Sequence, residues 1–406
     1  MTRLRGFLLC AVTLASPGLL ATASCGEKEE AAPPAEAGDE YVILPKRDAG
    51  GTASDAAVDI PFVKPPPPTI PGCVGTALPL EVAGERAYVS IRIGANDAGD
   101  AEAGAPGVSG NFVVDFGTTG STIDYGAFSA DAGPVPASYA GDGGLGADHT
   151  FQGFDFFGDW GFVTLRRSDY STIASLTRQA GILGTDFLAL HPYTLDYTRG
   201  QIWRSDPKTF CTDPQLLGAG FSPLPSEGFY TTDLSKLRPL SDVLNSPDGG
   251  TAGFTVPNVP TVPITVAGVS ALAQLDTGYD DRLIRHSINV NQALFTLLSQ
   301  KGPEKLVRDE LADVYLTTCI PGFSEKVLAY RLADGQEVDF IASGGSVARR
   351  ETAVAIFEKE QTAETEKCGG IGTWTVPAAQ VGSSFFVDAQ AMVFDPASSR
   401  VWVPKN

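Results

Sequence analysis

The chain carries one ordered pattern twice. The first copy runs through a strand-like "AYVSIRI" and a glycine-rich insertion to "NFVVDFGTTGSTID", where an apolar run delivers Asp115 to a turn through Gly117. The second runs through "VPITVAG" to "ALAQLDTGYDDRLI", where the apolar run ends at Asp276. Downstream, "QAGILGTDFLALHPYTLDYTRGQIW" matches "AAQVGSSFFVDAQAMVFDPASSRVWV" in order and residue class. In each, an apolar residue and a glycine (Leu183-Gly184, Val381-Gly382) precede an aromatic-bearing turn of helix and then a strand-turn-strand hairpin. Self-similarity on this scale makes the repeated unit, and not the isolated turn, the level at which the fold is read. Period-two patterning with Val, Ile and Phe makes strands the dominant element. Asp-Ala-Gly, Pro-Asp-Gly and Gly-Gly steps interrupt them at turn spacing. The expectation is an all-β, bilobal chain: an N-terminal lobe over residues 76–207, an interlobe segment over 208–260 and a C-terminal lobe over 261–406.

Taken singly, an Asp at a strand end is a turn residue, because its side chain bonds its own backbone. A β-rich envelope protein whose acids do no more than this is the plainest reading. Duplication argues against it. Two lobes related by an approximate two-fold would bring equivalent turns together at the axis, so Asp115 and Asp276 would face one cleft. Like charges that close cannot both ionise cheaply, and the pair titrates as a unit. The ionised member can take a proton from water while the protonated one hydrogen-bonds a carbonyl. Gly117 and Gly278 let each turn run tightly and present backbone amides to the carboxylates.

The N-terminus bounds where such chemistry would operate. Arg3 and Arg5 precede "GFLLCAVTLASPGLLA", and small residues lead to Cys25, the form of a secretory signal over residues 1–24. The ending resembles the lipobox of bacterial lipoproteins, in which the cysteine is lipidated, although Thr22 stands where Leu is usual. Residues 25–75 are an acidic, Pro/Ala-rich tether that buries too little to order itself. The reading is an exported chain, anchored through Cys25 to the cell envelope (periplasm or outer membrane) or secreted. A formal charge of -19, from 48 acids against 29 Lys and Arg, argues against a nucleic-acid partner. With Cys10 lost and Cys25 lipidated, Cys73, Cys211, Cys319 and Cys368 remain, an even number suited to two disulfides in any of three pairings. No C-x-x-C or H-x-x-x-H pair occurs, so no metal or other cofactor is expected, and His149, His191 and His286 read as surface or packing residues. "GDGGLG" at Gly141–Gly146 fits G-x-G-x-x-G without a surrounding strand-turn-helix, which removes nucleotide binding.

Over about residues 76–406 the chain resembles the two-lobed, pepsin-like aspartic peptidases, whose motif is apolar-apolar-Asp-Thr-Gly-Ser/Thr in each lobe and apolar-Gly later in each. "LDTG" and "GILG" with its hairpin are the specific matches, and "VVDFG" is the weak one. The resemblance implies a catalytic pair Asp115 and Asp276, supported by Gly117, Thr118, Thr277 and Gly278, acting on a protein or peptide substrate as a monomer without cofactor. It also implies a second-lobe disulfide between the Asp motif and the last apolar-Gly, hence Cys319 with Cys368, leaving Cys73 with Cys211 to tie the first lobe's entry to its exit. Tyr139 is the candidate for the tyrosine of a substrate-covering flap. The acidic tether lacks the basic residues of family propeptides, so no zymogen is expected. Two departures stand out. The family's Thr after each Asp braces the opposite loop; Thr277 can do so and Phe116 cannot. Tyr279 stands where a small hydroxyl residue supports the second Asp. A catalytically impaired module that binds peptide or glycan is therefore the alternative.

Overall fold

Burial that alternates at the start of Val269–Leu275, and unbroken burial along Tyr193–Asp196 and Ala378–Val381, are the patterns of strands covered on one face and on both. The computed structural model describes residues 66–93, 108–118, 120–127, 129–130, 148–151, 154–158, 163–171, 177–226, 259–279, 286–317, 324–359, 371, 374 and 376–405. The signal segment, Cys25, most of the tether, the flap candidate Tyr139 and the Cys319–Cys368 pairing lie outside these residues. The described chain is mostly β, as its period-two patterning leads one to expect, and no helix in it is long and apolar enough to cross a membrane.

Among the described residues the strands form three sheets. One draws on the first repeat, from Glu81–Ala83 to Gln179–Leu183, and another on the second, from Thr261–Val266 to Ala378–Val381. The third has six strands from both: Thr76–Pro79, Gln201–Arg204 and Tyr193–Asp196 on one side, Ala391–Asp395, Arg400–Pro404 and Phe221–Pro225 on the other. Its seam is the antiparallel pair in which Tyr193 faces Phe394 and Asp196 faces Ala391. These two strands are counterparts in the sequence repeat, and they meet head to tail, as a local two-fold axis through the seam requires.

The two repeats also share their internal wiring. Val108–Val114 runs parallel to Gln179–Leu183, which is antiparallel to Thr122–Ile123. Val269–Leu275 runs parallel to Ala378–Val381, which is antiparallel to His286–Asn291. Each returning strand ends in a glycine, Gly184 or Gly382, that opens a short helix, Thr185–Leu188 or Ser383–Ala389. Glycine is required there by space: a Cβ on Gly184 would press on the Gly120 backbone, and one on Gly382 on the Tyr279 ring.

The core runs continuously from the first-repeat sheet through the shared sheet into the second. A smaller cluster of Val74, Leu216, Phe221 and Trp402 packs around the Cys73–Cys211 disulfide, which closes a separation of 138 residues. That pairing is the one the resemblance implies for the first lobe.

Candidate active site

Asp115 and Asp276 arrive at one point by the same route. Each follows a strand whose last residue pairs with the end of the returning strand, Val114 with Leu183 and Leu275 with Val381. Asp115 N–H donates to the Leu183 carbonyl at 3.0 Å, and Asp276 N–H to that of Val381 at 2.9 Å. Three residues on, the Thr118 carbonyl accepts from Thr185 N–H and the Tyr279 carbonyl from Ser383 N–H, both at 2.9 Å. The residues on either side of the helix-opening glycine thus lock down the loop that presents each repeat's own Asp.

The two carboxyl groups are hydrogen-bonded to each other, and each lies against the other loop's glycine. A Cβ on Gly117 would fall on the Asp276 carboxylate, and one on Gly278 on that of Asp115. Neither position admits any other residue while the pair stays in contact. Both acids are about 5% exposed. Burial, and then the Asp276 charge, hold the Asp115 carboxyl well above the ordinary carboxylate range, against a pull from the Gly117 N–H and from Arg86. Both causes favour keeping one proton on the pair.

The loops are braced from one side. Thr277 Oγ accepts from Phe116 N–H at 2.9 Å and donates to the Val114 carbonyl at 2.6 Å, so one buried hydroxyl clamps the loop that carries Asp115. Phe116 returns no such bond. Its ring points into the core instead, stacked on Phe394 at 3.6 Å between centroids and edge-on to Tyr193. Where the second repeat has the Thr277 hydroxyl, the first has an aromatic anchor beneath the loop. Tyr279 serves Asp276 through its backbone N–H, at 2.9 Å from Oδ1, while its phenol reaches Ser287 Oγ at 3.0 Å. Thr118 is buried beside Asp115 and holds the loop through its carbonyl.

Five residues around the pair escaped the sequence reading. Gln274, Gln380 and Asn289 stand side by side on three adjacent strands, in register, and all are buried. Gln274 Nε2 donates across to the Gly117 carbonyl at 2.8 Å. Gln380 Nε2 donates to Asp276 Oδ2, and Asn289 Nδ2 to Gln380 Oε1 at 2.8 Å. Asn291 fixes the start of the Gln380 strand, accepting from Ala378 N–H at 3.0 Å while it caps the helix Gln292–Lys301. Arg86 opens the strand that pairs, from Tyr88 on, with the strand leading to Asp115, and its charge acts on that carboxyl. A buried Gln in the apolar run "AAQVG" was the readable signal, since amides are rarely enclosed without a partner.

A second polar cluster lies where the histidines read as packing residues. His286 is fully buried and stacked on Phe385. Its Nε2 lies 3.1 Å from Asp388 and 3.4 Å from Glu351, its Nδ1 lies 3.3 Å from Ser384 Oγ, and Arg349 pairs with Glu351 at 2.6 Å. Burial works against charge on this imidazole, but the two carboxylates outweigh it and hold its pKa above the ordinary value. Among the described residues no group of three or more His, Cys, Asp or Glu is arranged to hold a metal ion.

Against known proteins, the chain matches no family model and no curated protein sequence.

Proposed function

We propose that the protein is a pepsin-like, bilobal aspartic endopeptidase that hydrolyses peptide bonds with Asp115 and Asp276. The observation that carries the reading is reciprocal: each carboxyl rests on the other loop's glycine, the two share a hydrogen bond, and burial with the neighbouring like charge raises the Asp115 pKa, which favours a proton held between them. In the reaction, the ionised member takes a proton from a water whose oxygen bonds the carbonyl carbon. The protonated member gives its proton to the carbonyl oxygen as the C=O π pair moves there. Collapse of the resulting diol breaks the C–N bond, its electron pair going to nitrogen. Nitrogen then takes a proton from the member that accepted one, and the other member recovers its proton from a diol hydroxyl.

The Cys73–Cys211 disulfide supports an oxidising compartment, in keeping with export and with anchoring to the envelope through Cys25. Incubation with denatured casein from acid to neutral pH, with and without pepstatin and beside Asp276→Ala, tests the proposal. Cleavage lost in the variant is expected; a folded protein that cleaves nothing at any pH refutes it. That outcome would select the alternative, a peptide- or glycan-binding module, which the one-sided Thr277 brace favours.

A further inference from the structure

The scaffold around the pair is symmetric and its polar lining is not. Counting the repeat from Gly184 and Gly382, the counterpart of Gln380 is Ile182; counting from Asp115 and Asp276, the counterpart of Gln274 is Val113. The amides therefore belong to one side. Asp276 Oδ1 accepts from Gly278 N–H and Tyr279 N–H, both at 2.9 Å, and its Oδ2 from Gln380 Nε2. Apart from the shared hydrogen bond, Asp115 accepts from Gly117 N–H at 2.6 Å. The orientation of the Gln380 amide is set from behind: Asn289 donates into its oxygen, so the NH₂ end has to face the carboxylate.

We propose that Gln380, oriented by Asn289, is a positioning residue that makes Asp276 the charged member of the pair and leaves the proton on Asp115. The inference rests on the proposed dyad and adds a division of labour to it. Among the described residues three N–H donors converge on Asp276 against one on Asp115, where the Arg86 charge pulls the same way as that one donor but is the smallest of the influences on the carboxyl; hydrogen bonds to an anion outweigh those to a neutral acid. An amide also carries no charge of its own, so it biases the pair without adding a third titrating group. The raised pKa of Asp115 is in keeping with this. Asp276 then takes the proton from water, and Asp115 gives one to the carbonyl oxygen.

The test titrates the pair in the full chain by the ¹³C signals of labelled Asp carboxyls, beside the pH profile of kcat/KM on casein peptides. Gln380→Met keeps the length and removes the donor. The first deprotonation of the pair is expected to rise by about one to two pH units, as loss of a hydrogen bond to a charged group implies. The acid limb of kcat/KM should rise with it, and kcat should fall at constant KM. Gln380→Glu keeps the shape and the bond from Asn289, so it carries the test if the Met variant does not fold. It should raise the titration further by adding a like charge. Unchanged titration in a folded Gln380 variant overturns the inference, whether or not the wild type cleaves peptides. A shifted titration with no cleavage by the wild type supports the inference and overturns the peptidase reading.

Discussion

Replacing Thr277 by Val swaps a hydroxyl for a methyl of the same shape, so packing is held constant and two bonds are removed. The Phe116 N–H, 2.9 Å from Thr277 Oγ, and the Val114 carbonyl, 2.6 Å from it, would both be left buried without a partner. Each such group costs about 1 to 3 kcal/mol, which puts Thr277→Val about 2 to 6 kcal/mol below wild type. Thr277→Ser keeps both bonds and should stay within about 1 kcal/mol. Urea unfolding with the disulfide intact measures the difference as a lower midpoint at unchanged slope. A Val variant within about 0.5 kcal/mol of the Ser variant would refute the brace. Restoring the second hydroxyl is not a remedy. Phe116→Thr removes a ring stacked on Phe394 and should cost about 3 to 5 kcal/mol, as large-to-small core changes do.

Further outcomes follow from other parts of the molecule. Gly278→Ala places a methyl on the Asp115 carboxyl, so casein cleavage should fall to background while the protein still unfolds cooperatively; retained cleavage would separate the glycine from the pair. Opening the 138-residue separation with Cys73→Ser and Cys211→Ser together should cost about 2 to 5 kcal/mol in urea unfolding. The Asp115 pKa is ordinary in the unfolded chain and raised in the fold. The native state therefore holds the proton more tightly, and stability from this group is lost as pH rises from about 3.9 through the folded value. Asp115→Asn should flatten that slope and raise the melting temperature near neutral pH. The raised pKa of His286 has the same sign: its contribution is full below about 6.5 and lost as pH rises through the folded value. His286→Gln should remove that part of the pH dependence.

The legible part of the molecule is what period and repetition encode. Strand content, the two Asp-bearing turns, the helix-opening glycines and the pair of hairpins are all local patterns, and duplication tied them together. The one-sided brace was legible too, because Phe116 and Thr277 occupy equivalent places in the two copies. What could not be read is register. That Gln274, Gln380 and Asn289 form a row beside Asp276 depends on how three strands slide against one another, and a shift of one residue would turn every side chain to the other face. The same holds for Arg86, whose charge acts on Asp115, and for His286 between Glu351 and Asp388, whose partners lie far away in sequence. The difference between Gln380 and Ile182 was visible in the two copies all along, but nothing in the sequence said that this position looks onto a carboxylate.

The seam where Tyr193–Asp196 meets Ala391–Asp395 has a consequence for any attempt to cut the gene in two. A polypeptide ending after the first hairpin would carry a bare row of amides and carbonyls along Tyr193–Asp196, and so would its complement along Ala391–Asp395. Such naked borders recruit whatever strand is nearest. Produced separately, the pieces should clump; produced in the same compartment, they should find each other and reconstitute a soluble heterodimer.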